Sequence, residues 1–144
     1  MKRSRRPLPR IARDLPVYQR KPNERLRPKH LQFIRALRCC RCGAPGPCEA
    51  AHVRLASDGG ASLRPSDRFT VPLCAWCHRL ATDAQHAGEA TFWAELQIDP
   101  LDLALRLWTI TGDLDQGNRA VFRQLQLIEL HVGEARFREF RRRA

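Results

Sequence analysis

Two thiol pairs and two imidazoles follow one another in an order that suits metal chemistry. Cys39 and Cys42 form one Cys-x-x-Cys pair, and Cys74 and Cys77 form a second. His52 lies between them, in Glu49-Ala50-Ala51-His52-Val53-Arg54, and His78 directly follows the second pair. Two such pairs are the usual ligand set of a structural zinc ion, whose four thiolates close a tetrahedron and do no chemistry. Cys40 and Cys48 are then left over; taking Cys40 in place of Cys39 would break the two-residue gap. The paired spacing favours metal over disulfides, as in a reducing cytosol. A histidine ahead of the second pair and another just behind it point to a second site, one built for chemistry.

The elements that position these residues can be read from spacing. Pro28 suits the first turn of a helix, and Leu31, Phe33, Ile34 and Leu37 give it an amphipathic period up to Arg38. Gly43 to Pro47 is a turn. Glu49–Leu55 and Phe69–Leu73 read as two strands, with Pro72 near the end of the second. The turn-rich stretch Ser57 to Ser62 makes them a hairpin with a long connection. Asp83 is an expected helix N-cap, followed by an apolar side of Phe92, Trp93 and Leu96. Asp99-Pro100 starts another helix, with Leu101, Leu105 and Trp108 as its stripe, widened by Leu103 and Leu107, and Thr111-Gly112 as its end. A last helix is expected from Asn118 to about Phe140, buried through Val121, Leu125, Ile128, Leu130 and Val132, with Gly133 as a potential break. Phe69, Trp76, Phe92, Trp93 and Trp108 read as core, and His30 and His131 as ordinary surface or helix residues. No internal repeat is visible.

Charge divides the chain. Residues 1–38 hold thirteen lysines and arginines against Asp14 and Glu24, so the whole net charge of +11 lies there. Residues 39–144 carry thirteen charges of each sign. A basic arm on a near-neutral domain reads as a tether for phosphate, with nucleic acid as the expected partner. Prolines alternate with arginines in residues 1–27, which are expected to be extended or disordered. Early prolines spoil an amphipathic transit helix, and the arginine-rich start lacks the apolar stretch of a secretory signal. With no apolar run long enough to span a bilayer, the expectation is a cytoplasmic protein of a bacterial or phage-infected cell.

The order of motifs resembles a known family. Cys-x-x-Cys, the strand-borne Ala-His-Val-Arg, the run Asp67-Arg68-Phe69-Thr70-Val71-Pro72-Leu73-Cys74-x-x-Cys77-His78, then Gln85-His86 and Phe92-Trp93, is similar to the zinc-stapled, phage-associated HNH endonucleases. It is similar to the phage recombination-enhancement nucleases. The resemblance spans roughly residues 28–108 and implies an α+β fold: a small ββα-metal core with a four-cysteine zinc site, flanked by helices and preceded by the basic arm. It divides the chain into an arm (1–27), a nuclease domain (28–110) and a C-terminal helical extension (111–144). It implies a metal-dependent endonuclease that hydrolyses DNA phosphodiester bonds. His52 matches the general base, and His78 the helix-side ligand of a catalytic Mg²⁺, Mn²⁺ or Zn²⁺. His86 is the second candidate ligand. Imidazole, with an ordinary pKa of about 6.5, is a competent base at neutral pH.

The sequence departs from the family pattern in three places. Ala51 stands where an acidic ligand often precedes the base, and Glu49, on the same strand face, is the candidate substitute. The family's middle asparagine is absent, and Asp67 is the nearest group to orient His52. His78 and His86 are eight residues apart, roughly 12 Å along a straight helix. A loop over residues 79–82 must fold them together, or one of them is not a ligand. Arg54 and Arg68 are candidates to bind phosphate, or else partners of Asp58 and Asp67. The competing expectations are a non-catalytic zinc module that binds nucleic acid and a zinc-stabilised protein-interaction domain.

Overall fold

The computed structural model describes residues 25–142, so the expected arm lies almost wholly outside the described residues. Helix α1 runs Pro28–Ala36, where the missing proline N–H costs nothing in the first turn. It buries His30, Phe33 and Ile34. Of the two places expected for His30, surface or helix, it takes the helix, and it is buried there at 1% exposed.

Strand β1 (Glu49–His52) pairs antiparallel with β2 (Thr70–Leu73), in the register Glu49 to Leu73 and His52 to Thr70. Both strands are shorter than expected. The first ends at His52, although the Val53 amide still donates to the Phe69 carbonyl at 2.8 Å. A 3-10 turn over Asp67–Phe69 takes up the start of the second. Pro72 is tolerated because the outer side of a two-stranded sheet asks no N–H of it. Its carbonyl accepts from the Cys40 amide at 2.9 Å, which docks the first thiol pair on the hairpin.

Beyond β2 come a π-helical turn, Trp76–Leu80, and a 3-10 turn, Gln85–Ala87. Four helices follow: α2 (Glu89–Leu96), α3 (Pro100–Thr109), α4 (Leu114–Val132) and α5 (Glu134–Arg142). The start expected at Asp99 holds, since its side chain accepts from the Leu101 amide at 2.9 Å. Asp83 is not the cap of α2: that position is Gly88, five residues later, and Asp83 pairs with Arg41 instead. The buried face of α3 is Leu103, Ala104 and Leu107, while Leu105 points outward and Trp108 is only half-buried. The expected last helix is two helices. Gly133, at φ +85°, breaks it in a conformation that side chains rarely adopt. Leu130 is 77% exposed, and Trp76 is also exposed rather than core.

The C-terminal helices are not an appendage. Ala120, Val121, Leu125, Ile128, Phe137 and Phe140 join the same core as α1, the hairpin and the thiol pairs. Gly117 makes the closest approach: a Cβ there would meet Leu37 at 2.7 Å and Phe33 at 2.8 Å. Among the described residues no helix is long and apolar enough to cross a membrane.

Candidate functional site

Folding brings Cys39, Cys42, Cys74 and Cys77 together. Their ligand atoms all lie within 4.8 Å of one another, and the Cys42 and Cys74 sulfurs are 3.8 Å apart. Ligands about 2.3 Å from a central ion form a tetrahedron with edges of about 3.8 Å. A disulfide would need about 2.05 Å. The four thiols thus form a cluster that fits a metal ion. Gly43, in the left-handed region at φ +75°, lets the first pair turn back on itself, with its amide on the Cys39 carbonyl at 2.9 Å. Hydrogen bonds from Cys39, Cys42 and Cys77 hold the Cys74 thiol well below its ordinary range, so the cluster favours thiolate there. Cys40 and Cys48 are buried outside the set, and burial pushes Cys48 up to about 12.

Arg41, inside the first pair, is buried with its guanidinium 4.9 Å from the Phe92 ring and 4.4 Å from the Phe140 ring. It donates to Asp83 at 2.7 Å. One cation therefore ties the thiol cluster to α2, to α5 and to the loop that leads to His86. Arg41→Ala is expected to cost about 2–3 kcal/mol, from an emptied slot between two rings and a lost ion pair. Urea denaturation measures this. Arg41→Lys should recover only part of it, because an ammonium cannot lie flat against both rings.

His52 and Asp67 meet where the hairpin's long connection returns to β2. His52 Nε2–H donates to Asp67 Oδ1 at 2.9 Å. The other carboxylate oxygen accepts the Arg27 backbone amide at 2.7 Å, and the Arg64 guanidinium stands 3.8 Å from Oδ1. Asp67 is 1% exposed, so its position is set on every side. With Nε2 committed, Nδ1 keeps its lone pair and has no hydrogen-bond partner among the described residues. Burial lowers the His52 pKa below 6.5, and the Asp67 contact works against that shift. The imidazole is therefore neutral, and basic at Nδ1, at neutral pH.

His78 and His86 come together, the first of the two alternatives that the spacing left open. The π-helical turn stops at Leu80 and the chain doubles back, which sets the two rings edge to face with centroids 4.3 Å apart. His78 Nδ1–H donates to Glu49 Oε2 at 2.5 Å, leaving Nε2 available. Glu49 also takes Arg79 through both of its oxygens, and that contact is the main reason its carboxyl lies below its ordinary range. Glu49 thus bonds His78 and Arg79 at once. Burial and the neighbouring His78 both lower the His86 pKa. Among the described residues, however, the four cysteines are the sole set of three or more ligand atoms that close on one another.

The two halves of the site are joined by Gln85, a residue of the Gln85-His86 motif to which the sequence assigned no role. Gln85 donates to the His52 carbonyl at 3.1 Å and to Glu89 at 3.0 Å. Glu89 in turn accepts the Arg54 amide at 2.9 Å and the Trp93 indole at 3.2 Å. The turn that carries His86 is in this way laced to the strand that carries His52. Arg54 is exposed, and its charge acts on both His52 and His86. Arg68 pairs with neither expected acid; it donates to Ser66 at 3.2 Å and lies over Phe69. Asp58 is held by Arg25 and by the Ser66 amide. Arg64 and Arg79, which spacing did not mark, are the cations that stand beside Asp67 and Glu49.

A family described as a protein of unknown function (DUF968) matches residues 15–107, well over half of the chain, and the chain belongs to that family. No curated protein and no solved structure matches it.

Proposed function

We propose that this DUF968 member is an endonuclease of the HNH type, with zinc in the four-cysteine cluster and a divalent cation at His78 and His86. The observation that carries the reading is the His52–Asp67 pair on the hairpin, which leaves Nδ1 bare and basic. His52 takes the proton of a water aimed at the scissile phosphorus, and Asp67 steadies the imidazolium that forms. His78 Nε2 and a ring nitrogen of His86 would be the protein's donors to a Zn²⁺, Mn²⁺ or Mg²⁺ ion, and imidazole suits Zn²⁺ best of the three. When bound, the cation supplies Lewis-acid stabilisation of charge on the phosphate and the leaving oxygen. Arg54 and Arg68, with Arg64 and Arg79, offer guanidinium groups to the DNA backbone.

The test is nicking of supercoiled plasmid by the full chain with Mg²⁺ or Mn²⁺. Cleavage that stops when the divalent ion is withheld supports the reading. One observation favours a second reading, a zinc module that binds nucleic acid without cutting it: Glu49 is already saturated by Arg79 and His78. That reading predicts salt-sensitive retention of DNA and no nicking with any cation.

Glu49 gives a graded prediction. Glu49→Gln keeps an acceptor for His78 but removes the charge that makes its imidazole a good donor. The cation concentration for half-maximal nicking should rise about 10- to 100-fold, with the melting temperature little changed.

A further inference from the structure

Away from the thiol cluster, the start of α1 and the end of α3 frame a groove of about 820 Å³. Arg27, Lys29, His30, Trp108 and Thr111 are among the residues that line it. One wall holds an unsatisfied atom. The Thr111 hydroxyl donates to the Trp108 carbonyl at 2.8 Å, so it accepts from His30 Nδ1–H at 2.7 Å. His30 Nε2 is then a bare acceptor, buried and without a partner among the described residues. Burial lowers the His30 pKa to about 4, so this acceptor stays neutral at ordinary pH. A buried acceptor left unpaired is costly, and a donor from outside would remove that cost.

The surroundings say which donor fits. Trp108 is half-buried and stands edge-on to His30, with centroids 4.8 Å apart. The Arg27 guanidinium is 5.9 Å from the Trp108 ring centre, within cation–π reach, so a base entering between them must push the two apart. Arg27 and Lys29 are exposed cations. The Arg27 amide also holds Asp67, which places the groove beside the His52–Asp67 pair.

We propose that this groove is a nucleobase subsite, in which one base of the substrate slides between Arg27 and Trp108 and gives an N–H to His30 Nε2. Lys29 meets the attached phosphate. Aromatic stacking of this kind accepts any base, and each of the four carries at least one N–H. Nε2 is buried in this structure, so binding requires the Trp108 side chain to shift as the base enters. The inference rests on the polynucleotide reading above and adds to it a seat for the nucleotide beside the cut.

The test is an NMR titration of the full chain, without added divalent cation, using 5′-dAMP, N6,N6-dimethyl-dAMP and inorganic phosphate. The dimethyl analogue keeps the ring and phosphate but has no N–H. Saturable dAMP binding should weaken about fivefold or more for the analogue and about tenfold or more in Trp108→Leu. Lys29→Ala, a surface change that leaves the fold intact, should weaken both nucleotides alike. Equal binding of dAMP and the analogue overturns the inference, as does undiminished binding by Trp108→Leu or phosphate binding as tight as that of dAMP. No cleavage is measured, so the outcomes separate from those of the nuclease test. A chain that binds dAMP as described but never nicks DNA keeps the subsite and loses the hydrolytic role. A chain that nicks DNA but is indifferent to Trp108 loses the subsite alone.

Discussion

Replacing His52 with alanine is expected to lower plasmid nicking by about 10²- to 10⁴-fold, the usual worth of a positioned general base. Equal nicking by wild type and His52→Ala would remove the base from the mechanism. The pH profile adds a sharper signature. Burial lowers the His52 pKa below 6.5, so the base form persists below that pH and the rate falls only as pH drops through the lowered value. Asp67 acts in the other direction and raises the pKa of its partner. Asp67→Asn should therefore shift the acid limb to still lower pH while reducing the plateau rate, since the imidazolium loses its counter-charge. Asp67 also anchors the Arg27 amide, so the thermal melt of each variant is compared with that of wild type.

The largest effect on stability is expected at the four sulfurs. The purified chain should carry about one zinc, and Cys74→Ser should lose it. Structural zinc contributes about 10–16 kcal/mol in small domains, as much as the whole stability of an ordinary domain at about 5–15 kcal/mol. Chelation or Cys74→Ser is therefore expected to abolish the cooperative melt, because the cluster joins the α1 end of the chain to the β2 end. Cys48→Ser is the contrast. It buries a hydroxyl at a cost of about 1–3 kcal/mol and leaves the metal content unchanged. If Cys74→Ser melts like wild type, or if Cys48→Ser loses the metal, the assignment of ligands fails. Atomic emission and calorimetry read the two quantities.

The thiol cluster was legible because two-residue gaps carry their own geometry. A Cys-x-x-Cys turn points both sulfurs one way whatever follows, so only the meeting of the two pairs was left to the fold. The start of α3 was legible for a similar reason, as Asp99 and Pro100 act on amides next to them in the chain. Asp83 failed by the same local logic, since an ion pair with buried Arg41 outweighed its capping preference. The apolar stripes misled where one helix carried more apolar residues than its neighbours could cover. Leu105 and Leu130 were left outside on that account. His30 is on a helix, as one expected alternative had it, but its burial was not legible, because its partner is the Thr111 hydroxyl, 81 positions along the chain.

The sequence by itself determined the ligand chemistry: which sulfurs pair, which imidazoles flank them, and that the excess charge lies in the first 38 residues. These are properties of residue type and short spacing, and they hold before the chain folds. Only the tertiary structure decided which nitrogen of His52 is free, that Glu49 bonds His78, and that a doubled-back turn carries His86 to it. Those outcomes depend on contacts between residues some 8 to 33 positions apart, and the packing of the whole core sets their geometry.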